Sequence, residues 1–258
     1  MPLLKLRDLD LYYERQGAGR SLLFISGTGG DLRDKPNVFD GPLPRSFDVV
    51  AYDQRGLGQT STPDSAWTMA DYADDAAALM EAVGWSKALV VGVSFGGMVA
   101  QELVCRHPER VEALALCCTS PGGEGGSSFP LHEIWHLEGP ELARRMIGIL
   151  DDRFDDAWAK RHPDAMEGLV AGMSARRVDA DSAASAGQRR QLEARAQHDC
   201  WDRLQAVSCP TLVCGGLYDG LALPAAQRAL RDRIPHARLE MFEGGHLFLQ
   251  QDTEALPA

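Results

Sequence analysis

The chain has 258 residues and a formal net charge of −11, with 45% hydrophobic and 24% charged residues. This length is near the upper limit that one hydrophobic core serves, and the apolar content excludes a disordered chain. The negative charge would repel nucleic-acid phosphates and offers no basic patch to an anionic membrane. The composition therefore predicts one globular domain with neither nucleic acid nor a membrane as partner.

The cysteines and the apolar stretches indicate the compartment. The six cysteines are Cys105, Cys117, Cys118, Cys200, Cys209 and Cys214. No two of them form a C-x-x-C pair, and no His or Cys cluster has zinc-like spacing, so we expect free thiols. No window approaches the ~18 apolar residues of a membrane span, and the N-terminal residues do not resemble a signal peptide. These features predict a soluble, cytoplasmic protein.

Strands and helices alternate along the chain. Strands are predicted at residues 3–6, 11–14, 22–25, 47–52, 88–93, 111–117, 211–214 and 238–242. Helices are predicted at residues 69–83, 98–105, 139–150, 155–160, 179–197 and 223–234. Continuous apolar runs such as residues 22–25 are typical of strands buried on both faces. The alternation predicts an α/β fold with a mostly parallel sheet that is covered by helices on both faces.

The strand pattern is interrupted between residues 120 and 200. This segment begins with a glycine- and serine-rich stretch and then has only helical patterns, with Pro140 near the first turn of one predicted helix. We therefore predict an α/β core formed by residues 1–119 and 201–258, with residues 120–200 inserted as a helical cap subdomain.

The strongest motif is G-x-S-x-G at Gly92, Ser94 and Gly96, which directly follows an apolar strand and opens a helix. That context is the one in which a serine hydroxyl projects from a tight turn above the sheet. The helix N-terminus also directs positive partial charge toward the site. The motif predicts Ser94 as a catalytic nucleophile.

A serine nucleophile needs a base and an orienting acid. His246 follows the last predicted strand in a glycine-rich turn, and Asp219 follows the strand at residues 211–214. Both loops leave the same end of a parallel sheet, where sites form. Asp199 and Asp202 precede that strand and would lie at the wrong end. The chain order Ser94, Asp219, His246 is the order expected for such a site.

Two backbone N–H groups are predicted to bind the oxyanion. One belongs to Phe95, directly after the nucleophile, and the other to Thr28 in the loop after the strand at residues 22–25. A phosphate-binding loop is the alternative for residues 26–30, but the lysine of a Walker motif is absent.

Together these segments resemble the α/β-hydrolase superfamily, and the chain is most similar to its enol-lactonase and small-ester-hydrolase branch, including 3-oxoadipate enol-lactonases. The resemblance implies an eight-stranded sheet, a helical cap and a structural role for residues 53–58. Ser26 stands where the family usually carries histidine. Ser94 disfavours relatives with aspartate there (haloalkane dehalogenases and epoxide hydrolases) or cysteine there (dienelactone hydrolases). Carbon–carbon bond hydrolases and cofactor-free haloperoxidases remain alternatives.

The expected activity is hydrolysis of a small-molecule carboxylic ester or lactone through an acyl-enzyme, with no metal or organic cofactor. A receptor-like protein with slow turnover is a further alternative, and a homodimer is left open. Candidate pocket residues in the cap are Phe129, His132, Trp135, His136, Met146 and Ile149. Arg144 and Arg145 are candidates for binding a charged acid, although a solvated helix face is the favoured interpretation of both.

Overall fold

The computed structural model describes residues 3–174 and 183–255. The strands are β1 (Leu4–Leu6), β2 (Leu9–Leu11), β3 (Tyr13–Gln16), β4 (Arg20–Ile25), β5 (Phe47–Tyr52), β6 (Ala88–Val93), β7 (Val111–Cys117), β8 (Thr211–Gly216) and β9 (Arg238–Phe242). The helices are α1 (Met69–Ala82), α2 (Phe95–Arg106), α3 (Gly139–Leu150), α4 (Asp156–Arg161), α5 (Pro163–Ser174), α6 (Ala183–Ala196), α7 (Pro224–Arg233) and α8 (Phe248–Gln251).

The described residues form a seven-stranded central sheet in the order β3-β5-β4-β6-β7-β8-β9. Strand β3 is antiparallel to β5, and every other pairing in the sheet is parallel. The α/β class and the mostly parallel sheet are confirmed, but the predicted count of eight strands is wrong by one. The reason lies at the N-terminus, where β2 turns back at Arg7 (φ 50°) and pairs with β1 in a separate hairpin.

Alternate strand residues pack on opposite faces of the sheet, as the two-residue period of a strand requires. Leu23, Val90 and Leu116 lie in the larger apolar core, together with residues of α1, α2 and α7. Leu22 and Val49 point to the other face and pack in a smaller cluster. Phe248 of α8 covers Cys117 and Cys214 farther along that second face. Helices therefore lie on both faces, and the carboxyl ends of the parallel strands meet at one edge.

The inserted segment is helical, with one helix that the sequence pattern does not predict. Helix α5 contains Gly168 and Gly172, which lower intrinsic helix propensity, and it forms because Met166 and Val170 pack against Ala143 and Ile147 of α3. The predicted helix at residues 179–197 is observed as α6, but residues 179–182 lie outside the described residues.

The two ends of this segment meet. An isolated antiparallel bridge joins Gly122 to Asp199, so the chain leaves and re-enters the core at one place. We propose on this basis that residues 120–200 form a cap subdomain on a core of residues 1–119 and 201–258.

All six cysteines are free thiols. Between residues 3 and 174 and between residues 183 and 255, no helix combines the length and the apolarity required to cross a bilayer.

Candidate active site

Ser94 lies at a sharp turn between β6 and α2. Its backbone has φ 57° and ψ −117°, a conformation that costs energy for a residue with a side chain and that concentrates at functional sites. The Ser94 N–H donates to the Cys117 carbonyl at 2.8 Å, which ties the turn to β7. The half-buried hydroxyl consequently stands at the carboxyl edge of the sheet.

The two motif glycines are required because backbone passes through the space that a side chain would fill. A Cβ on Gly92 would lie 2.4 Å from the Gly96 carbonyl oxygen, and a Cβ on Gly96 would lie 2.1 Å from the Ile25 carbonyl oxygen. Neither oxygen belongs to a flexible side chain, so relief would require helix α2 to move away from β6 in the first case and from β4 in the second.

We expect Gly96→Ala to lower the free energy of unfolding by about 3 kcal/mol, since overpacking against backbone forces the core apart. Gly168→Ala is the matched control, because a Cβ there meets nothing within 4 Å. In helix α5 that change should raise the free energy of unfolding by about 0.5–1 kcal/mol. Urea unfolding of both variants measures the difference, and equal free energies for the two would contradict the close packing.

His246 bridges Ser94 and Asp219. Its Nε2 is 2.9 Å from Ser94 Oγ, and its Nδ1 is 2.9 Å from Asp219 Oδ2. The His246 side chain is 7% exposed. The His246 N–H donates to the Leu150 carbonyl at 2.6 Å, so the C-terminal end of α3 fixes the loop that carries the ring.

The carboxylate of Asp219 is fully buried and bound on both oxygens. The N–H groups of Leu221 and Ala222 donate to Oδ1 at 2.9 and 2.8 Å, which leaves Oδ2 for the imidazole. Such bonds fix the orientation of the carboxylate. The array of Ser94, His246 and Asp219 is thus one continuous chain of hydrogen bonds at the carboxyl edge.

The rival residues lie elsewhere. The Asp202 side chain is 92% exposed and pairs with Arg233, while Asp199 accepts from the Trp201 N–H. His107 Nε2 is 2.8 Å from Asp74 Oδ1, away from the carboxyl edge. The exposed histidines are His132, His136, His162 and His236. The remaining one, His198, is buried in the inserted segment.

The predicted oxyanion donors belong to the two segments that adjoin the serine. Phe95 is the first residue of α2, and Gly27 packs against Ser94 so closely that a Cβ on Gly27 would lie 3.3 Å from Ser94 Cβ. Within the described residues, the N–H groups of Phe95 and Thr28 donate to no protein acceptor. Neither N–H is therefore occupied by an acceptor within the described residues.

Sequence reasoning missed one contact to this loop. Gln191 of α6 is fully buried, and its Oε1 accepts from the Gly29 N–H at 2.9 Å. Gly29 has φ 72°, and the Gly30 N–H donates to the Gly27 carbonyl at 3.2 Å, so the contact fixes a tight turn. A glutamine in a polar helical stretch carries no sequence signal for this role.

Residues 53–58 bind the segment that follows β4. The buried Asp53 accepts from the N–H groups of Leu32 (2.7 Å) and Gln59 (2.8 Å), and burial raises the pKa of its carboxyl. Gln54 Nε2 donates to the Ser26 carbonyl at 2.8 Å. Since these groups bind backbone and point into the core, they hold the loop rather than face a ligand.

The predicted pocket residues divide into two groups. Phe129, Trp135, Met146 and Ile149 join one apolar cluster with Leu221, two residues after Asp219. His132 and His136 are exposed, as are Arg144 and Arg145. No group of three or more His, Cys, Asp or Glu side chains in the described part of the chain could hold a metal ion.

This fold and this arrangement of residues define a class of protein. The chain belongs to the α/β-hydrolase family, whose model, described as "alpha/beta hydrolase fold", matches residues 20–253. The relatives described next carry the names of enzymes, and hydrolases are among them.

Two curated relatives align along most of the chain. A protein called "Putative non-heme bromoperoxidase BpoC" from Mycobacterium tuberculosis is 27% identical over 266 residues, which cover 96% of this chain and 95% of the relative. A protein called "Poly(3-hydroxyalkanoate) depolymerase" from Ectopseudomonas oleovorans is 29% identical over 238 residues, covering 91% of this chain and 81% of the relative.

Among solved structures, the enol-lactonase from Burkholderia xenovorans LB400 superimposes with a TM-score of 0.72 and 25% identity. The match covers 93% of this chain and 90% of that structure. The predicted resemblance to the enol-lactonase branch is therefore confirmed.

Proposed function

We propose that the protein hydrolyses a small carboxylic ester or lactone with Ser94 as nucleophile, His246 as general base and Asp219 as orienting acid. The single observation that carries this proposal is the unbroken hydrogen-bond array, with both donor–acceptor distances at the imidazole equal to 2.9 Å. A base within hydrogen-bond reach of a nucleophile, itself held by a third group, is the signature of covalent catalysis.

In the first half-reaction, Ser94 Oγ attacks the substrate carbonyl while its proton passes to His246 Nε2. The Nδ1–H of the imidazole donates to Asp219, and this bond selects the tautomer in which Nε2 accepts. The buried carboxylate then stabilises the imidazolium. The imidazolium gives its proton to the departing alkoxide, so the alcohol leaves and the acyl group stays on Ser94.

In the second half-reaction, His246 takes a proton from water, and the resulting hydroxide attacks the acyl carbonyl. The acid leaves as Ser94 regains its proton. In both halves the carbonyl oxygen becomes an oxyanion, and the N–H groups of Phe95 and Thr28 are the proposed donors to it. Each such donor contributes about 3 kcal/mol to stabilisation of the transition state.

The names of the relatives support this chemistry. The depolymerase acts on a polyester by its name, and the enol-lactonase on a lactone, so ester and lactone cleavage both occur on similar chains. The bromoperoxidase name favours a second candidate, in which hydrogen peroxide replaces water as the acceptor of the acyl group and releases a peracid.

The direct test is hydrolysis of p-nitrophenyl acetate, p-nitrophenyl butyrate and a panel of simple lactones. We expect release of p-nitrophenol with an initial burst and a transient mass increase of the intact protein by one acyl group. Hydrolysis of a vinylogous diketone without hydrolysis of any ester or lactone would overturn the proposal in favour of carbon–carbon cleavage. Binding of esters with no turnover would favour the receptor-like alternative.

A further inference from the structure

Two arginines are buried in the described part of the chain, and only one of them is paired with a carboxylate. Arg55 is 1% exposed and forms two hydrogen bonds with Asp75, at 2.7 and 2.8 Å. Arg195 of α6 is 6% exposed, and no described Asp or Glu oxygen lies within 4.0 Å of it. Burial of an unpaired charge is costly, so an anionic ligand beside the Arg195 guanidinium would be stabilising.

The contacts of the Arg195 guanidinium are with neutral acceptors only, and one of its donors has no partner in the described residues. Its Nη1 donates to the Phe129 carbonyl at 2.9 Å and its Nη2 to Ser128 Oγ at 2.6 Å, while Nε has no partner among the described residues. Burial lowers the pKa of Arg195 to about 10, with no carboxylate to oppose it. At neutral pH the side chain is nevertheless charged.

A cavity of about 80 Å³ lies against this guanidinium. Its lining includes Met98, Ser120, Ser128 and His198. Two more buried polar groups face no protein partner of good geometry in the described residues, namely the Ser120 hydroxyl and both ring nitrogens of His198. Burial lowers the pKa of His198 to about 4, against the opposite influence of Glu102 and of the Ser120 backbone, so its ring is neutral and keeps one N–H donor.

One residue that lines the cavity is bonded to the backbone of the nucleophile. Met98, which lines it, lies one helical turn after Ser94, and its N–H donates to the Ser94 carbonyl at 3.3 Å. One turn of an α-helix advances about 5.4 Å. Arg195 lies one turn after Gln191, the residue that binds the loop of Thr28. The cavity is thus lined by residues of α2, the helix that follows Ser94, and of α6, the helix that binds the loop of Thr28.

We propose that this cavity binds a carboxylate group of the substrate, so that the enzyme acts on esters or lactones that carry a free carboxylate a few bonds from the scissile carbonyl. The inference rests on the proposed hydrolase function and names the substrate class for that site. The guanidinium provides the charge, and the Ser120 hydroxyl and His198 provide further donors. The volume accommodates a carboxylate, which is little larger than two water molecules at about 30 Å³ each.

Binding can be measured without turnover. In a Ser94→Ala background, we expect glutarate to bind by calorimetry, whereas the uncharged isostere glutaramide does not. Adding Arg195→Gln should weaken glutarate binding by about 10- to 100-fold, because a charge-assisted hydrogen bond is lost. Adding Arg144→Gln instead should leave it unchanged, since Arg144 is exposed on α3 and lies outside the cavity.

Kinetics provide the second measurement, with mono-p-nitrophenyl glutarate as the anionic ester and p-nitrophenyl butyrate as the neutral one. We expect kcat/KM for the anionic ester to fall about 10- to 100-fold in Arg195→Gln, with the neutral ester changed less than about 3-fold. If Arg195→Gln fails to fold, Arg195→Lys keeps the charge and should retain part of the preference, and glutarate binding to the Ser94→Ala protein remains decisive.

The outcomes separate this inference from the proposed function. Hydrolysis of the neutral ester with no preference for the anionic one, and no binding of glutarate, overturns the carboxylate site but leaves the hydrolase intact. Absence of all ester and lactone hydrolysis overturns the proposed function, whatever glutarate does. Equal binding of glutarate and glutaramide contradicts recognition of charge.

Discussion

Replacing Ser94 with alanine is expected to lower kcat/KM for p-nitrophenyl butyrate by about 10⁴-fold or more, because the residual oxyanion donors cannot replace a nucleophile. The fold should persist, since the change removes one hydroxyl whose only hydrogen bond in the described residues is the one with His246. The Ser94 backbone bonds to β7 and α2 are unaffected. Initial rates measured beside an unfolding curve separate lost chemistry from lost structure.

Covalent labelling tests directly whether Ser94 Oγ is the attacking atom. A fluorophosphonate should add to the wild-type protein with loss of fluoride, and the Ser94→Ala protein should gain no mass. Ser208→Ala is the matched control, as that serine is exposed and lies before β8. A Ser94→Ala protein that kept more than about 1% of the wild-type rate would show that another group attacks the ester.

Replacing Asp219 with asparagine is expected to lower kcat by about 10⁴-fold with little change in KM. The asparagine Oδ1 can still accept from Leu221 and Ala222, so the loop should keep its shape. Its amide nitrogen would instead donate to His246 Nδ1, which moves the imidazole proton to Nε2. In that tautomer Nε2 cannot accept the Ser94 proton, and the base is disabled while all three residues remain in place.

The control for this variant is Asp202→Asn. The Asp202 side chain is 92% exposed, and its loss should leave both kcat and the unfolding midpoint unchanged. A fall in kcat of less than about 10-fold in Asp219→Asn would mean that this carboxylate does not orient the base.

Most of the fold could be predicted because its central strands are buried on both faces. The predicted bounds of β5, β6, β7 and β9 coincide with the observed ones. In β5, β6 and β7 the mainly apolar run ends where the strand leaves the core, whereas β9 is an edge strand with alternating exposed residues. The N-terminal hairpin was harder, because short half-buried strands show only weak alternation and their partner depends on the turn at Arg7. The strand count was therefore wrong by one.

The positions of the candidate site residues were predictable for a different reason. Ser94 is flanked by glycines that the backbone geometry demands, and the loops of Asp219 and His246 leave neighbouring strands at one edge. Such features depend on residues that are adjacent in the sequence and can therefore be predicted from it. The structure brings these three side chains into contact, and their catalytic roles are proposals that the two variants above test.

Sequence alone thus determined the fold class, the family and the loops from which a site is built, because strand burial and tight turns restrict residues that are neighbours in the chain. Tertiary structure decided what surrounds those loops. Arg144 and Arg145 are the basic candidates that the sequence indicates, but both are exposed. Arg195 is buried and has no carboxylate partner among the described residues. That difference depends on which distant segments pack on α6, and the free energy of a charge depends on its whole surroundings rather than on its place in the chain.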